Sequence, residues 1–360
     1  MADLRLLLSV LIFTAGTTFS VAEDSENVTY SYRLPDDVIP VHYNIKLISR
    51  IEEGNFTFEG ESTIVVKTLR TTRTLSLHAL DLSIDKAATT LISSNGNNYT
   101  PKHHIYDTLT SILAIRFDTE LPPDIYHLNL KFVGVLDDNF NGFYRSSYTI
   151  LMTWSRRWLA GTNFHPTSAR RAFPCWDEPA LKATFNISIK HNRNYTALSN
   201  MPMQKQTDDG NEDGMIWTHF ETTPIISTYL IAFVVSDFVR CSDANDTITM
   251  WCSPDFEPQE IAKRTMQEVA AKAGQILTTY TNSSNKISKW DHVWIPFLLH
   301  FKREAHVTTL GLTTYSFNFW PIYEGPMFLA KYVTNAMAQQ WIGCVVSPLW
   351  WTEKWLNDGL

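Results

Sequence analysis

The chain has 360 residues, 44% of them hydrophobic, and a formal net charge of −7 with acidic and basic residues intermixed. That length allows two domains with buried cores. No basic run marks the sequence, which excludes the electrostatic footprint of a nucleic-acid-binding chain and favours a solvated, mildly acidic surface.

Met1 to Ala22 carries one arginine, an apolar run from Leu6 to Ala15 and small residues at Ser20 and Ala22. This is the grammar of a secretory signal peptide cleaved near Ala22. Its apolar core is short for a bilayer span; left uncleaved it would tether the protein to the cell surface. Seven N-x-S/T sequons, at Asn27, Asn55, Asn98, Asn186, Asn194, Asn245 and Asn282, fit a secretory route and an extracellular glycoprotein. No later segment has the unbroken apolar length of a transmembrane helix, and no C-terminal anchor signal follows.

From about Tyr43 to Val235 short strand-like runs alternate with turns: Ser62 to Val66, Leu75 to Ala79, Tyr126 to Phe132 and Tyr229 to Val235. This predicts an all-β domain over residues 23–238. The pattern changes near 237–256. After Pro258, Ile261, Val269, Ala273, Ile276 and Tyr280 recur at helical spacing through Thr281. A second helix is expected from Pro326 to Gly343 and a third after Pro348, giving a mixed segment over residues 239–360.

Cys241 and Cys252 flank an Asp-Ala-Asn-Asp turn and a strand-like run, so they could close a hairpin by a disulfide in an oxidising compartment. Cys175 and Cys344 sit in apolar surroundings and read as buried thiols. His103-His104 reads as a solvated pair, while His300 and His306 could point inward. No H-x₃-H, G-x-S-x-G or P-loop pattern is present, and Ser283 to Lys286, though formally S-x-x-K, lies in a polar loop that carries a sequon. Phe173 to Pro179, with its paired acids, reads as a structural turn and domain contact.

The informative window is the last 26 residues. It runs Asn335-Ala336-Met337-Ala338-Gln339-Gln340-Trp341-Ile342-Gly343, then Val346-Ser347-Pro348-Leu349-Trp350-Trp351, then Trp355-Leu356-Asn357-Asp358-Gly359. The frame resembles the M1 aminopeptidases, in which it reads H-E-L-A-H-Q-W-F-G, V-S/T-P-x-W-W and W-L-N-E-G. Tyr32 to Pro35, His42-Tyr43, Gly142 to Tyr148 and Ala169 to Pro179 are further close matches, so the resemblance covers roughly residues 30–360. It implies an N-terminal β-saddle domain followed by the first part of a thermolysin-like α/β catalytic domain, and a zinc-dependent removal of N-terminal residues from peptides.

The chemical positions of that frame are changed. Two imidazoles at i and i+4 share a helix face and reach one ion, and the intervening glutamate acts on the metal-bound water. Here Asn335 and Gln339 offer neutral amides at those positions, and Ala336 offers a methyl where the general base belongs. Asp358 stands at the third ligand position with the family spacing, 18 residues intervening after Gln339, but is one methylene short, about 1.5 Å of reach against a tolerance near 0.2 Å. The family's upstream G-A-M-E-N-W-G-L, whose glutamate holds the substrate's α-amine, aligns with Ala305 to Leu312 and puts Thr308 at the glutamate. A T-Q-x-E segment becomes Thr162-Asn163-Phe164-His165, where Asn163 keeps the amide but loses reach.

Loss of the base alone removes about 10²–10⁴ in rate, and without a metal-bound water no nucleophile forms at neutral pH. The expectation is therefore a secreted, glycosylated homologue, truncated in its catalytic domain, with no catalytic residue intact and no metal or cofactor bound. Its residual role would be the binding of peptides or of another secreted or membrane protein. Two alternatives stay open: an active zinc aminopeptidase, and an incomplete or decayed gene. Because the chain stops at Leu360, Trp341, Trp350, Trp351 and Trp355 are expected to lose packing partners. An oxygen-only calcium site from Asn335, Gln339 and Asp358 would have too few ligands and too little negative charge.

Overall fold

The strand Ile125–Val135 buries Tyr126, Leu128, Leu130 and Phe132 and turns Ile125, His127, Lys131, Val133 and Val135 outward. That period of two is what a sheet with one covered face requires. Its neighbour Asn55–Thr68 does the same with Phe58, Ile64 and Val66. In register, Phe58 lies opposite Gly134 and Phe132 opposite Gly60. A Cβ at either glycine would fall 2.2 Å from the facing ring; the two rings thus cover the two bare backbones, and both positions are closed to any side chain.

The structure, a computed structural model, describes residues 31–359 except 53, 151–152, 209, 211–213, 243–246, 256–259, 283–287, 296–305, 317–325 and 345, and does not describe the side chains at 52, 262, 326, 328, 357 and 358. The described residues are mostly β-sheet with three α-helices. Four sheets carry the fold. The largest has nine strands; in it Val38–Glu52 pairs antiparallel with Asn55–Thr68 and parallel with Thr184–Asn192. Smaller sheets of three and four strands lie within residues 72–236.

After residue 238 the grammar changes, as the helical periodicity predicts. A five-stranded sheet runs in the order Val239–Arg240, Ile248–Cys252, Trp290–Ile295, Leu312–Ser316, His306–Thr309. Its inner pairs are parallel and its outer pairs antiparallel. Helix α1 (Glu260–Thr281) and helix α2 (Pro326–Gln339) pack on one face through Met266, Ala270, Leu329, Val333, Ala336 and Met337. The other face presents Val293, Ile295 and Leu312 to Tyr144, Leu159, Val234 and Phe238 of the β region. Arg33–Leu360 accordingly forms one compact unit. The chain ends in a short helix, α3 (Lys354–Gly359). No helix among the described residues is long and apolar enough to cross a membrane.

Candidate functional site

Helix α2 opens on Pro326, whose fixed φ suits a first helical turn. Leu329, Val333, Ala336 and Met337 form its buried stripe against α1 and the sheet. Asn335 and Gln339, four residues apart, share a different face: Asn335 is exposed and Gln339 half-buried. Ala336, at the general-base position of the resembled frame, is fully buried and belongs to the apolar cluster with Met266 and Ala270. Its methyl is a packing group and can take no proton.

The edge strand His306–Thr309 faces this helix. His306 pairs in register with Tyr315, and its ring lies 6.0 Å from Tyr315 and 6.0 Å, edge-on, from Tyr332 of α2. Tyr332, Asn335 and Gln339, at i, i+3 and i+7, share the helix side that this ring meets. Burial pushes the imidazole pKa down, and the two amides oppose that shift in part by supporting the protonated form. Nδ1 of His306 has no partner, nor has Oγ1 of Thr308, two residues along the strand and 6% exposed. Tyr315 stacks on Trp294 at 4.6 Å and meets Nδ1 of His292 through its hydroxyl at 2.9 Å. Desolvation lowers the fully buried His292 to about 4.

The turn between this edge strand and its neighbour Leu312–Ser316 is gripped from both sides. Gln340 donates to the Thr309 carbonyl at 2.7 Å and accepts from the Gly311 amide at 3.0 Å; Gly311 takes φ +69°, which glycine adopts without strain. From the β region Asn200 donates to the carbonyls of Leu310 and Leu230, both at 2.8 Å, and accepts from the Ala232 amide. Tyr229 donates to the Gly343 carbonyl at 2.9 Å. Gln340, Asn200 and Tyr229 went unremarked in the sequence. Position 340, directly after the second ligand position and keeping the resembled frame's own residue, was the one available signal.

Three of the four tryptophans expected to lose partners keep them. Trp341 is buried beside Trp290 at 6.3 Å. Trp351 packs on Tyr229 at 5.5 Å and donates to the Asp177 carbonyl, and Arg33 lies 4.1 Å from the Trp350 ring. The β region supplies the partners of Trp350 and Trp351, and the five-stranded sheet supplies that of Trp341. Trp355 alone is strongly exposed, at 72%.

That contact runs through the Phe173 to Pro179 segment. Asp177 is fully buried and accepts from Arg170 Nε at 2.9 Å and Thr228 Oγ1 at 2.8 Å, while Glu178 accepts from the Leu34 amide at 2.6 Å. Asn163 turns into its own loop, accepting from the His165 amide at 3.3 Å. Cys241 and Cys252 are joined in a disulfide; Cys175 and Cys344 are buried thiols raised by desolvation. His103 is exposed, and His104 is hydrogen-bonded to Thr89. Of the sequon asparagines, Asn55, Asn98, Asn194 and Asn282 are exposed and Asn186 is half-buried. The leader over residues 1–22, Asn27, Asn245, His300 and the side chain of Asp358 lie outside the described residues.

The side chains at the described ligand positions do not fit a zinc ion. Asn335 and Gln339 present neutral amides, which a borderline-soft cation exchanges for water with little gain. Among the described residues no three His, Cys, Asp or Glu side chains converge.

The Peptidase M1 N-terminal domain family matches residues 39–230. Endoplasmic reticulum aminopeptidase 1 of Rattus norvegicus is 30% identical over 98% of this chain and 39% of its own length. Endoplasmic reticulum aminopeptidase 2 of Homo sapiens is 32% identical over 95% and 36%, and aminopeptidase N of Oryctolagus cuniculus 32% over 91% and 35%. The chain thus spans little more than a third of the length of these relatives. With the family match extending over more than half of its residues, and the remaining third arranged as a sheet backed by the altered helix, the chain belongs to the M1 peptidase family.

Proposed function

We propose that this M1 family member is catalytically silent and enters the secretory route as a glycoprotein, and that its remaining role is to bind peptides or another secreted or membrane protein. The observation that carries the reading is the environment of α2: Ala336 is buried in an apolar cluster at the general-base position, and the face beside it presents the neutral amides of Asn335 and Gln339. Neither the two amides nor the methyl can coordinate zinc tightly or deprotonate a water. Thr308 adds to this, since a neutral hydroxyl gives an α-ammonium no charge-assisted partner.

Export and glycosylation are supported by the leader grammar, by the Cys241–Cys252 disulfide, which suits an oxidising compartment, and by the exposed sequon asparagines. At Asn55 the sequon hydroxyl of Thr57 donates to the Asn55 amide oxygen at 2.8 Å. Mass spectrometry of the secreted product before and after glycosidase treatment tests this part. Catalytic silence is tested with chromogenic amino-acid anilides, with and without added zinc. No turnover above a chelator-treated control is expected; chelator-sensitive hydrolysis would establish the rival reading, an active zinc aminopeptidase.

A further inference from the structure

Among the described sequon asparagines, Asn55 opens its strand at a hairpin end, Asn98 opens an edge strand, Asn194 lies in a turn and Asn282 follows α1. Asn186 alone stands inside a strand, Thr184–Asn192, that is paired on both sides, with Val38–Glu52 and with Met215–Phe220. Its neighbours Phe185 and Ile187 are buried, so the Asn186 side chain turns to the outer face of the nine-stranded sheet. Ser188, which completes the sequon, lies on that same face, is buried, and meets Nδ1 of His219 at 2.8 Å. A glycan carried by Asn186 therefore stands over the sheet, whereas one on Asn55 hangs from a hairpin end.

The face beneath it is a row of uncharged polar groups. Thr90, Asn129, Thr63, Asn44 and Asn186 lie in register on successive strands, a span of about 19 Å at the usual strand separation of about 4.8 Å. Thr63 donates to Asn129 Oδ1 at 2.8 Å, Asn129 donates to Thr90 at 3.0 Å, and Asn186 donates to the Thr222 hydroxyl at 3.5 Å. Asn44 is exposed and makes no side-chain hydrogen bond among the described residues. An amide offers two donor hydrogens and a two-lone-pair acceptor, so the row keeps hydrogen-bonding capacity along its whole length.

We propose that this row is a bed for an N-glycan on Asn186: sugar hydroxyls pair with Asn44, Thr63 and Asn129, and the glycan closes the outer face of the nine-stranded sheet to protein partners. The inference rests on the glycoprotein reading above. Attachment replaces one of the two hydrogens on Asn186 Nδ2. The C1–N bond forms, the C1–O bond to a polyisoprenyl pyrophosphate donor breaks, and the displaced proton leaves with the pyrophosphate; the hydrogen that stays can still be given to Thr222. A neutral polyhydroxyl chain satisfies the row donor for acceptor, while an apolar partner seated here would strand the same amides without hydrogen bonds.

Native treatment of the secreted full chain with peptide N-glycosidase, followed site by site by mass spectrometry, tests this. Release at Asn186 should be about tenfold or more slower than at Asn55, the factor that one or two added hydrogen bonds supply. Burial in the sheet alone would also slow it, so the deciding comparison is with the bed removed. Thr63→Ala/Asn129→Ala should bring release at Asn186 most of the way to the Asn55 rate and leave Asn55 unchanged. Asn44→Ala strips no internal hydrogen bond from the sheet and should act in the same direction, which keeps the test valid if the double variant folds poorly. Unchanged release at Asn186 in both variants would overturn the proposal, as would a bare Asn186 in a chain whose Asn55 carries sugar. A secreted chain with no sugar at any sequon would instead refute the glycoprotein reading itself, so the two failures are distinguishable.

Discussion

Asp177→Ala should be among the most damaging single substitutions in the β region. The Asp177 side chain is fully buried, the Arg170 side chain is 10% exposed, and they meet at 2.9 Å. The carboxylate also accepts from the Arg170 amide at 3.4 Å and the Thr228 hydroxyl at 2.8 Å. Alanine removes the carboxylate that pairs with a desolvated guanidinium and leaves a buried hydroxyl without its acceptor. Breaking one side of such a pair costs about 3–5 kcal/mol, a large fraction of the roughly 5–15 kcal/mol that holds a domain folded. The exposed pair between Arg171 and Asp81, with Asp81 65% exposed, supplies the control: Asp81→Ala should cost under about 1 kcal/mol. Urea unfolding followed by tryptophan fluorescence reads both. With a slope of about 3 kcal/mol/M, the Asp177 variant should lose about 1 M or more in midpoint. The joint replacement Arg170→Met/Asp177→Leu should recover much of that loss, because no lone charge remains. A midpoint for Asp177→Ala indistinguishable from that of Asp81→Ala would refute the assignment of this pair as the buried link beneath Trp351.

Gln340→Ala strips partners from the Thr309 carbonyl and the Gly311 amide, so a loss of about 2–3 kcal/mol is expected in the same urea assay. Reduction of the Cys241–Cys252 disulfide, which spans 11 residues, should lower stability by about 2–3 kcal/mol through the freed chain entropy of the unfolded state, measured as the midpoint with and without reductant. For pH, His292 is lowered from 6.5 to about 4 by burial. The unfolded imidazole therefore takes up a proton first as the pH falls. The contribution is fully present above about 6.5 and is lost progressively down to about 4, at up to about 1.4 kcal/mol per pH unit. His191, His219 and His306 are shifted in the same direction. His292→Asn should flatten the stability profile in that window, and an unchanged slope would speak against a neutral buried His292.

Much of the architecture was legible in the sequence because it follows from local pattern. Alternation over Tyr126 to Phe132 gives the strand. The helix read over Ile261 to Tyr280 is α1, but its buried stripe is Met266, Ala270 and Ala273, while Ile261, Ile276 and Tyr280 of the expected stripe are exposed. The second helix was read about four residues too long, ending at Gly343 where α2 ends at Gln339. Gly343, at φ +125°, lies in the turn beyond, where the chain folds back under Trp341. The residue types at 335, 336 and 339 are read straight from the sequence, and their assignment to ligand positions rests on the resembled frame. The packing of His306 against α2 was not legible: it is 26 residues from Tyr332, and only the pairing of its strand with Leu312–Ser316 brings it to the helix. Asn200, Gln340 and Trp351 escaped for the same reason. Their partners lie far along the chain, and a polar side chain that satisfies a distant backbone group leaves no local periodicity.

On the proposed function, the amides of Asn335 and Gln339 and the methyl of Ala336 neither hold nor use zinc. Elemental analysis of the purified chain after equilibration with zinc and buffer exchange measures this directly. Far less than one zinc per chain is expected, with no change in thermal midpoint on adding zinc or chelator. One tightly held zinc per chain, lost on replacing Gln339 or Asp358 with alanine, would contradict it.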